Sequence, residues 1–362
     1  MRALTWVLVC SMLSGGGPHG AASAQTCGGL HGTASAQSSP PTPRAIAARS
    51  IPTPATVSSP LQSLIAQQPV TPQAPRNVEE WRQVVQRAAE RDLQRIAAVR
   101  KQFAVSVEPV QLGGVPCFII TPAQLPESNQ HRLLLHLHGG AYVFAPGEAG
   151  TLEAIVMAGF GHMKVISVDY RMPPDHPYPA AMDDAMAVWK ALVQREKPDH
   201  IGIFGTSTGG GMTLALVQRI KEEGQPLPGA IAPGTPWSDL TKTGDSYYTN
   251  ETVDNALVAY EPLLGAAARL YAHGRDLKDP HLSPVYGDFQ GFPPTLLTTG
   301  TRDLFLSNTV RVHRKLREAG VDAQLEVYEG QSHAQYLADS TTPESKEAFD
   351  EITAFFARHL GR

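Results

Sequence analysis

The chain has 362 residues, of which 42% are hydrophobic and 18% are charged, and its formal net charge is −4. This composition is typical of a soluble globular protein with one large hydrophobic core or two modest ones. The small, evenly distributed charge and the absence of a basic tract argue against nucleic acid and against an anionic membrane surface as partners.

The N-terminus has the three parts of a secretory signal peptide. Arg2 is followed by an apolar run at residues 4–13 and then by small residues that end in Ala24. The apolar run is too short to span a bilayer. We therefore expect residues 1–24 to be a signal peptide and the mature protein to be exported (periplasmic or secreted), without stable membrane insertion. A near-repeat of the cleavage motif makes cleavage after Ala36 the alternative.

The segment after the signal peptide, residues 25–76, is dominated by Pro, Ser, Thr, Ala and Gln and has almost no aromatic residues. Such a segment cannot bury enough apolar surface to offset the entropy of ordering, so we predict a disordered leader, whose role the sequence leaves open. Cleavage leaves Cys27 and Cys117, which an oxidising compartment would allow to pair. Because Cys27 lies in the predicted leader and Cys117 in a predicted strand, the sequence favours unpaired thiols without deciding the question.

The ordered part of the chain is predicted to begin with a helix over residues 77–104, which carries an apolar stripe at helical period. Strands at residues 105–110 and 117–121 follow, joined by a glycine pair, and a third strand is expected at residues 132–137. We predict that these three strands begin the sheet as a hairpin meander.

Strand-like and helix-like segments then alternate. The strands are predicted at residues 165–168, 201–204, 230–232, 295–299 and 323–328, and the helices at 180–195, 212–222, 307–319 and 343–359. Such alternation produces right-handed crossovers, so we expect an α/β fold with an eight-stranded, mostly parallel sheet and helices on both faces. Residues 237–294 break the alternation, with a helix at 255–271. They are predicted to lie over the strand ends, where open α/β sheets bind ligands.

The most informative motif is Gly205-Thr206-Ser207-Thr208-Gly209, which follows a predicted strand and precedes a predicted helix. In a G-x-S-x-G elbow the serine lies on a sharp turn, and the flanking glycines let neighbouring backbone pass without a clash. The positive end of the following helix favours an oxyanion nearby. The alternative is a glycine turn that serves only packing, but the context favours Ser207 as a nucleophile.

A serine hydroxyl needs a base, and the base needs an acid to orient it. Asp303 and His333 each follow a predicted strand, which places them at the carboxyl edge of the sheet in the chain order Ser, Asp, His that marks an α/β-hydrolase fold. Taken singly, Asp303 could be a helix cap and His333 a surface loop residue. Their order after adjacent strands predicts a catalytic Ser207–His333–Asp303 triad.

The loop His138-Gly139-Gly140-Ala141-Tyr142 follows the strand at 132–137, where these folds form the oxyanion hole. We assign the hole to the backbone amides of Gly140, Ala141 and Thr208. His136 and His138 could be read as two metal ligands on one strand, but no third ligand falls at metal-site spacing, so no metal and no other cofactor is expected.

These segments together resemble the bacterial hormone-sensitive-lipase-like esterases. The loop at 138–142 is similar to their HGGG(F/Y) loop, the segment DYRMPPDHPYPA at 169–180 to their DYR-x-APE-x-PFPA segment, and GTSTGG at 205–210 to their GDSAGG elbow. The segments DPHLSP at 279–284 and GTRDLF at 300–305 also match. The resemblance covers the chain from about residue 81 to the C-terminus.

The resemblance implies an α/β-hydrolase catalytic domain over residues 105–362, with a helical cap formed by residues 77–104 and the insertion 237–294. It implies Ser207 as nucleophile, His333 as base and acid, and Asp303 as the orienting partner, whereas Asp169 and Arg171 are read as structural. Relatives often dimerise through a late strand or helix, so a homodimer is a possible partner, and no exposed edge in the sequence decides the oligomeric state. Three residues depart from the family pattern: Ala141 for glycine, Thr206 for aspartate and Thr208 for alanine.

The function predicted from these residues is a serine carboxylesterase acting on short- to medium-chain small-molecule esters through an acyl-enzyme intermediate. Tyr142, Phe144 and Tyr260 are the predicted walls of the substrate pocket, although ordinary core packing is an alternative for such aromatic residues. A lactone hydrolase, a deacetylase or a polyester-oligomer hydrolase would use the same triad. An alternative from a different functional class is a non-catalytic ligand-binding module on the same scaffold.

Overall fold

The computed structural model describes residues 43–361, so the predicted signal peptide, both cleavage sites and Cys27 lie outside the described residues. The chain divides into two units, Met1–Ser50 and Ile51–Arg362. In the first unit the described residues 43–50 are exposed and form no helix or strand. Every element described below belongs to the second unit.

Within residues 43–361, eight strands form one sheet. They are β1 Val105–Leu112, β2 Val115–Pro122, β3 Leu133–Leu137, β4 Lys164–Val168, β5 Ile201–Thr206, β6 Ala230–Gly234, β7 Thr295–Gly300 and β8 Ala323–Tyr328. The strand order is β1-β2-β4-β3-β5-β6-β7-β8. β1 and β2 pair antiparallel, β2 and β4 pair antiparallel, and every other neighbouring pair is parallel. This is the mostly parallel sheet that the sequence predicts.

The predicted meander is wrong in one respect, because β4 and not β3 lies beside β2. The chain leaves β3 through a helical crossover and returns as β4 between β3 and the hairpin. β3 is buried along nearly its whole length, as a central parallel strand must be when both sheet faces are covered. The hairpin β1–β2 itself forms as predicted.

Nine helices are described in residues 43–361: α1 Ser59–Ile65, α2 Val78–Phe103, α3 Leu152–Gly161, α4 Ala180–Leu192, α5 Thr208–Glu222, α6 Ser246–Thr249, α7 Leu263–Ala272, α8 Leu306–Glu318 and α9 Pro343–His359. The strand residues alternate between two hydrophobic clusters. α4, α5 and α8 contribute to one cluster, and α3 and α9 to the other. Helices therefore cover both faces of the sheet, in agreement with the prediction. None of the helices in the described range combines the length and the apolar character needed to cross a bilayer.

The prediction of a disordered leader is wrong for its last part. Ser58 caps α1, and its hydroxyl donates to the Glu344 carboxylate at 2.8 Å. Leu61 and Ile65, one turn apart, are buried. A serine cap followed by two apolar residues on one face is enough to dock a two-turn helix, although the composition of the whole segment hides this signal. Residues 25–42 lie outside the described range.

The regions predicted as the cap contain α2, α6, α7 and connecting turns. α2 begins after Asn77, whose side chain accepts a hydrogen bond from the Glu80 amide. It ends at Phe103 and is capped by Ala104 in the left-handed conformation, so its bounds match the prediction closely.

The helix predicted over residues 255–271 is shorter than expected. Residues 255–262 form turns, and α7 begins after Pro262, which suits a helix start because it lacks an N–H donor.

Candidate active site

Ser207 lies between the end of β5 and the start of α5, with φ 65° and ψ −122°. Positive φ is unfavourable for a residue with a side chain and persists only where the surroundings enforce it. Here the Ser207 amide donates to the Gly234 carbonyl at 2.9 Å, and the Ser207 carbonyl accepts the amides of Gly211 at 3.0 Å and Trp237 at 2.9 Å. Three backbone bonds thus hold a half-buried serine at a strained turn.

The glycines of the motif are required by close packing of backbone. A Cβ at Gly205 would lie 2.0 Å from the Leu137 carbonyl oxygen, and a Cβ at Gly209 would lie 1.9 Å from the same atom. Both distances are far below contact, so only glycine lets α5 and β5 approach the end of β3. The motif therefore encodes the geometry of the turn.

Asp303 and His333 form a hydrogen-bonded pair. His333 Nδ1 lies 3.0 Å from Asp303 Oδ1, and both side chains are buried. Asp303 Oδ1 also accepts the Phe305 amide at 2.8 Å, and its Oδ2 accepts the Thr299 hydroxyl at 2.8 Å. Because a carboxylate only accepts, Nδ1 of His333 carries the hydrogen and Nε2 of the neutral ring is an acceptor.

Nε2 of His333 has no hydrogen-bond partner in the described part of the chain. His333 and Ser207 line one cavity of about 350 Å³. The Phe305 ring packs edge-on against the imidazole, with ring centroids 4.7 Å apart, and so limits its movement. The acceptor nitrogen is thus oriented by Asp303 and Phe305 and has no protein partner within the described residues, and His333 borders the cavity that contains the serine.

The loop after β3 has an unusual backbone. Gly140, Ala141 and Tyr142 have φ of 119°, 53° and 63°. The Gly140 carbonyl accepts the amides of Val143 at 3.0 Å and Phe144 at 2.8 Å. The Gly140 and Ala141 amides donate to no carbonyl among the described backbone bonds, and both residues line the cavity. Thr208 is the first residue of α5, where an amide has no partner in its own helix.

The cavity walls are mostly aliphatic. The larger apolar side chains are Phe144, Leu152, Leu257, Leu263, Leu264 and Leu337, from loops at the sheet edge, the start of α3 and the insertion 237–294. The charged residues at the cavity are Asp92 and Arg95 of α2 and Glu153 of α3. Arg95 donates to the Leu337 and Ala338 carbonyls, which joins α2 to the loop that follows His333.

Of the three predicted pocket residues, Phe144 lines the cavity, and the prediction is wrong for Tyr142 and Tyr260. The left-handed backbone at Tyr142 directs its ring into the core, where it stacks on Tyr271 with centroids 3.6 Å apart. The Tyr260 hydroxyl donates to the Leu240 carbonyl at 2.6 Å, and burial raises the pKa of Tyr260 to about 12. For these two residues the core-packing alternative is correct.

Sequence reasoning missed Glu153, which lies directly behind the elbow. Its Oε2 is 3.1 Å from His136 Nε2 and accepts the Thr206 amide at 3.1 Å, while its Oε1 accepts the Thr206 hydroxyl at 2.6 Å. His136 Nδ1 in turn is 2.9 Å from the Ser167 hydroxyl. Both nitrogens of His136 are thus engaged within this network. A single carboxylate in an otherwise apolar helix, LEAIVMAGFG, is the signal that could have identified it.

Asp169 and Arg171 have the structural contacts that the sequence analysis expects. Asp169 Oδ1 accepts the Gly147 amide at 2.8 Å, and Arg171 pairs with Asp184 at 2.7 Å. Neither residue lines the cavity that contains Ser207. Residues 43–361 contain no group of three or more His, Cys, Asp or Glu side chains that could hold a metal ion.

Comparison with known proteins gives consistent results. The family described as alpha/beta hydrolase fold matches residues 134–337. An esterase of Acinetobacter venetianus is 33% identical over 254 residues, which are 69% of this chain and 82% of that esterase. A crystallised esterase is similar with a TM-score of 0.85 at 46% identity, over 88% of this chain and 99% of its own. A crystallised esterase from the bacterial hormone-sensitive lipase (HSL) family has a TM-score of 0.66 at 27% identity, over 79% and 100%.

The fold and the elbow thus define the class of this protein as an α/β-hydrolase. Within that class the relatives are esterases, and the match extends over most of the catalytic domain. The chain belongs to the HSL-like α/β-hydrolase esterases and is a carboxylic ester hydrolase.

Proposed function

We propose that this protein is a serine carboxylesterase that hydrolyses short- to medium-chain carboxylic esters through an acyl-enzyme intermediate. Ser207 is the nucleophile, His333 the general base and acid, and Asp303 its orienting partner. The observation that carries this proposal is the shared cavity: Ser207, held at φ 65°, borders the same space as His333, whose Nδ1 is bound to Asp303 and whose Nε2 is unoccupied by protein groups in the described range.

In the acylation step the Ser207 Oγ attacks the ester carbonyl carbon while its proton passes to His333 Nε2. The carbonyl oxygen becomes an oxyanion, which accepts from the amides of Gly140, Ala141 and Thr208. Each such donor contributes about 3 kcal/mol in known serine hydrolases. The carbon–oxygen bond to the alcohol then breaks, and Nε2–H protonates the leaving oxygen.

In the deacylation step a water molecule attacks the acyl carbon and gives its proton to Nε2. The tetrahedral intermediate collapses, Ser207 recovers its proton from Nε2, and the carboxylic acid leaves. Asp303 holds the Nδ1–H throughout, because its oxygens are fixed by Thr299 and the Phe305 amide. The aliphatic walls favour the acyl chain, and a cavity of about 350 Å³ lies near the lower end for small-ligand sites.

The test is hydrolysis of p-nitrophenyl esters from C2 to C12 by the full chain, beside Ser207→Ala and His333→Ala. We expect turnover that is highest for the shorter acyl chains and that falls by about 10⁴-fold or more in both variants. Activity that survives Ser207→Ala would exclude the acyl-enzyme mechanism. A ligand-binding module would show no turnover and no labelling of Ser207 by a fluorophosphonate.

Lactones, acetylated substrates and polyester oligomers remain alternatives, because each presents an acyl carbonyl to the same groups. They differ in the leaving alcohol, so competition against p-nitrophenyl butyrate ranks them directly. The substrate whose kcat/KM is highest identifies the natural class. Equal, low values for all of them would leave simple carboxylic esters as the best assignment.

We also propose that the chain is exported after cleavage of residues 1–24. The support is the sequence alone: a positive N-terminus, an apolar run and small residues before Ala24. N-terminal sequencing of the protein recovered outside the cytoplasm distinguishes Gln25 from Gln37 as the first residue. Recovery of only uncleaved protein in the cytoplasm contradicts the proposal.

A homodimer is a second proposal about the whole molecule. β8 is an edge strand, and Val327 on it is 45% exposed. An edge strand presents unpaired amides and carbonyls that a second copy can pair with. Light scattering of the full chain and of Val327→Lys measures the mass, and we expect a dimer for the first and a monomer for the second.

A further inference from the structure

Asp254 is a fully buried carboxylate in the turn between α6 and α7, close to the Asp303–His333 pair. Its Oδ2 accepts the Leu304 amide at 2.8 Å and the His333 amide at 3.2 Å. Its Oδ1 accepts the amides of Ala256 at 2.8 Å and Leu257 at 3.0 Å. One side chain therefore binds the residue after Asp303, the backbone of His333 and the cap insertion.

These contacts suit the ionised form. A carboxylate has about four acceptor positions, and here four N–H groups occupy them. A protonated carboxyl would direct its O–H at one of these donors. Burial, and after it the charge of Asp303, raise the pKa of Asp254, whereas His333 and the backbone amides oppose the rise. The site therefore places two buried carboxylates, those of Asp254 and Asp303, next to one histidine, His333.

We propose that Asp254 is a positioning residue for His333: it fixes the backbone on both sides of the Asp303–His333 pair and supplies a second negative charge that stabilises the protonated imidazole formed during ester hydrolysis. This inference rests on the proposed function of His333 as the base. It differs from the role of Asp303, because Asp254 reaches His333 through the backbone amide and Asp303 through the ring.

Other charged groups lie around the His333 imidazole and Asp254. The titratable groups that act on Asp254 include Asp303 and His333. The charged groups that border the cavity from other elements are Asp92 and Arg95 of α2 and Glu153 of α3. Asn255, beside Asp254, is uncharged, and its side chain accepts the Ser332 hydroxyl at 2.9 Å. Removing the charge of Asp254 therefore leaves Asp303 as the carboxylate hydrogen-bonded to the imidazole.

The experiment compares the full chain with Asp254→Asn and Asp254→Glu. Asp239→Asn is the matched control, because Asp239 is equally buried in the same insertion but binds Thr241, Tyr286 and Arg311. Two properties are measured. The first is the pH at which kcat/KM for p-nitrophenyl acetate declines on the acid side of its pH profile (the acid limb), and the second is the midpoint pH of the His333 Cε1–H signal in an NMR titration. His333→Gln identifies that signal among those of the 13 histidines.

For Asp254→Asn we expect both the acid limb and the midpoint to move to lower pH by about one unit, because the imidazolium loses a nearby anion. We expect kcat to fall about 100-fold, since an Asn can accept from only one of the two amide pairs. Asp254→Glu keeps the charge and displaces the donors, so kcat falls about tenfold with the limb unmoved. Asp239→Asn lowers stability and moves neither the limb nor the midpoint.

Wild-type kcat/KM in Asp254→Asn overturns the proposal, and so does a lower kcat with limb and midpoint both unmoved, because that describes a purely structural residue. If Asp254→Asn does not fold, Asp254→Ser takes its place as the uncharged variant: a limb and midpoint that both move to lower pH support the proposal, and a limb and midpoint that both stay at the wild-type pH overturn it. If the wild-type chain hydrolyses no ester, the proposed function fails. The NMR midpoint then still tests Asp254, because it needs no turnover.

Discussion

Thr206 donates both its backbone amide and its hydroxyl to Glu153, over 3.1 Å to Oε2 and 2.6 Å to Oε1. The same hydroxyl lies 2.6 Å from the Tyr336 hydroxyl. The residue immediately before Ser207 is thus fixed by a buried carboxylate from α3. This relationship gives a physical reason for the departure from the family pattern, because a hydroxyl suits a position already faced by an anion.

Thr206→Asp, which restores the residue usual in the family, should be harmful in this chain. It places a second carboxylate against Glu153 in a buried site, and one of the two must take a proton or lose its partners. We expect a loss of about 3 kcal/mol or more and a Tm lower by about 5–10 °C. Thr206→Ser keeps the hydroxyl and is expected to stay within about 1 kcal/mol of the wild type. A wild-type Tm for Thr206→Asp in a thermal melt contradicts this account.

Ala141→Gly should widen the range of alcohols accepted. Ala141 has φ 53° and lines the cavity next to the amides assigned to the oxyanion, so its methyl group restricts branching near the carbonyl. We expect kcat/KM for a tertiary-alcohol ester to rise about tenfold, with little change for the ethyl ester. Ala145→Gly is the control, because Ala145 also lines the cavity and has φ 68°. An equal rise in both variants would assign the effect to backbone freedom.

His138 should make the protein sensitive to acid. Burial lowers the pKa of His138 to about 3, whereas an unfolded histidine titrates near pH 6.5. As the pH falls, the His138 ring takes up a proton in the unfolded state at a higher pH than in the folded state. The contribution of the neutral ring to the free energy of unfolding is therefore complete above pH 6.5 and is lost as the pH falls toward 3. The slope is about 1.4 kcal/mol per pH unit.

The measurement is urea unfolding at several pH values between 7 and 4. His138→Gln should show a shallower decline, because glutamine does not titrate. His176→Gln changes an exposed histidine and should retain the wild-type slope. Identical slopes in all three proteins would show that the pKa of His138 is the same in the folded and unfolded states, which contradicts this account.

Docking of α1 can be tested by truncating its buried side chain. Leu61 is 2% exposed, so Leu61→Ala should lower the free energy of unfolding by about 2–3 kcal/mol. Leu93 on α2 is 41% exposed, and Leu93→Ala should change it by no more than about 0.5 kcal/mol. Chemical denaturation of both variants is the measurement. Equal, small effects would mean that α1 contributes nothing to the fold in solution.

The strands, the elbow and the Asp303–His333 pair were predictable because their signals are local. Apolar runs mark central strands, and glycines mark the turn where backbone meets backbone at Leu137. Helix α3 was missed because it is buried nearly all round and so lacks the one-sided pattern of a surface helix. Its Glu153 was missed with it.

Other features depend on contacts between distant parts of the chain. The position of β4 beside β2 follows from the crossover, which no local pattern records. Tyr142 and Tyr260 look like pocket residues in the sequence, and only the backbone direction at Tyr142 and the partner of Tyr260 place them in the core. Asp254 has no motif around it, because the two partners that tie it to the Asp303–His333 pair are backbone amides from loops far along the chain.

Arg95 of α2 bonds to carbonyls in the loop after His333, and Ser58 bonds to Glu344 at the start of α9. The cavity that contains Ser207 is therefore bordered by an early segment of the chain that bonds to a late one. During synthesis Ser207 leaves the ribosome well before His333, so a growing chain carries the proposed nucleophile without its proposed base. We therefore expect hydrolytic activity to begin only after synthesis is complete and these two segments have met.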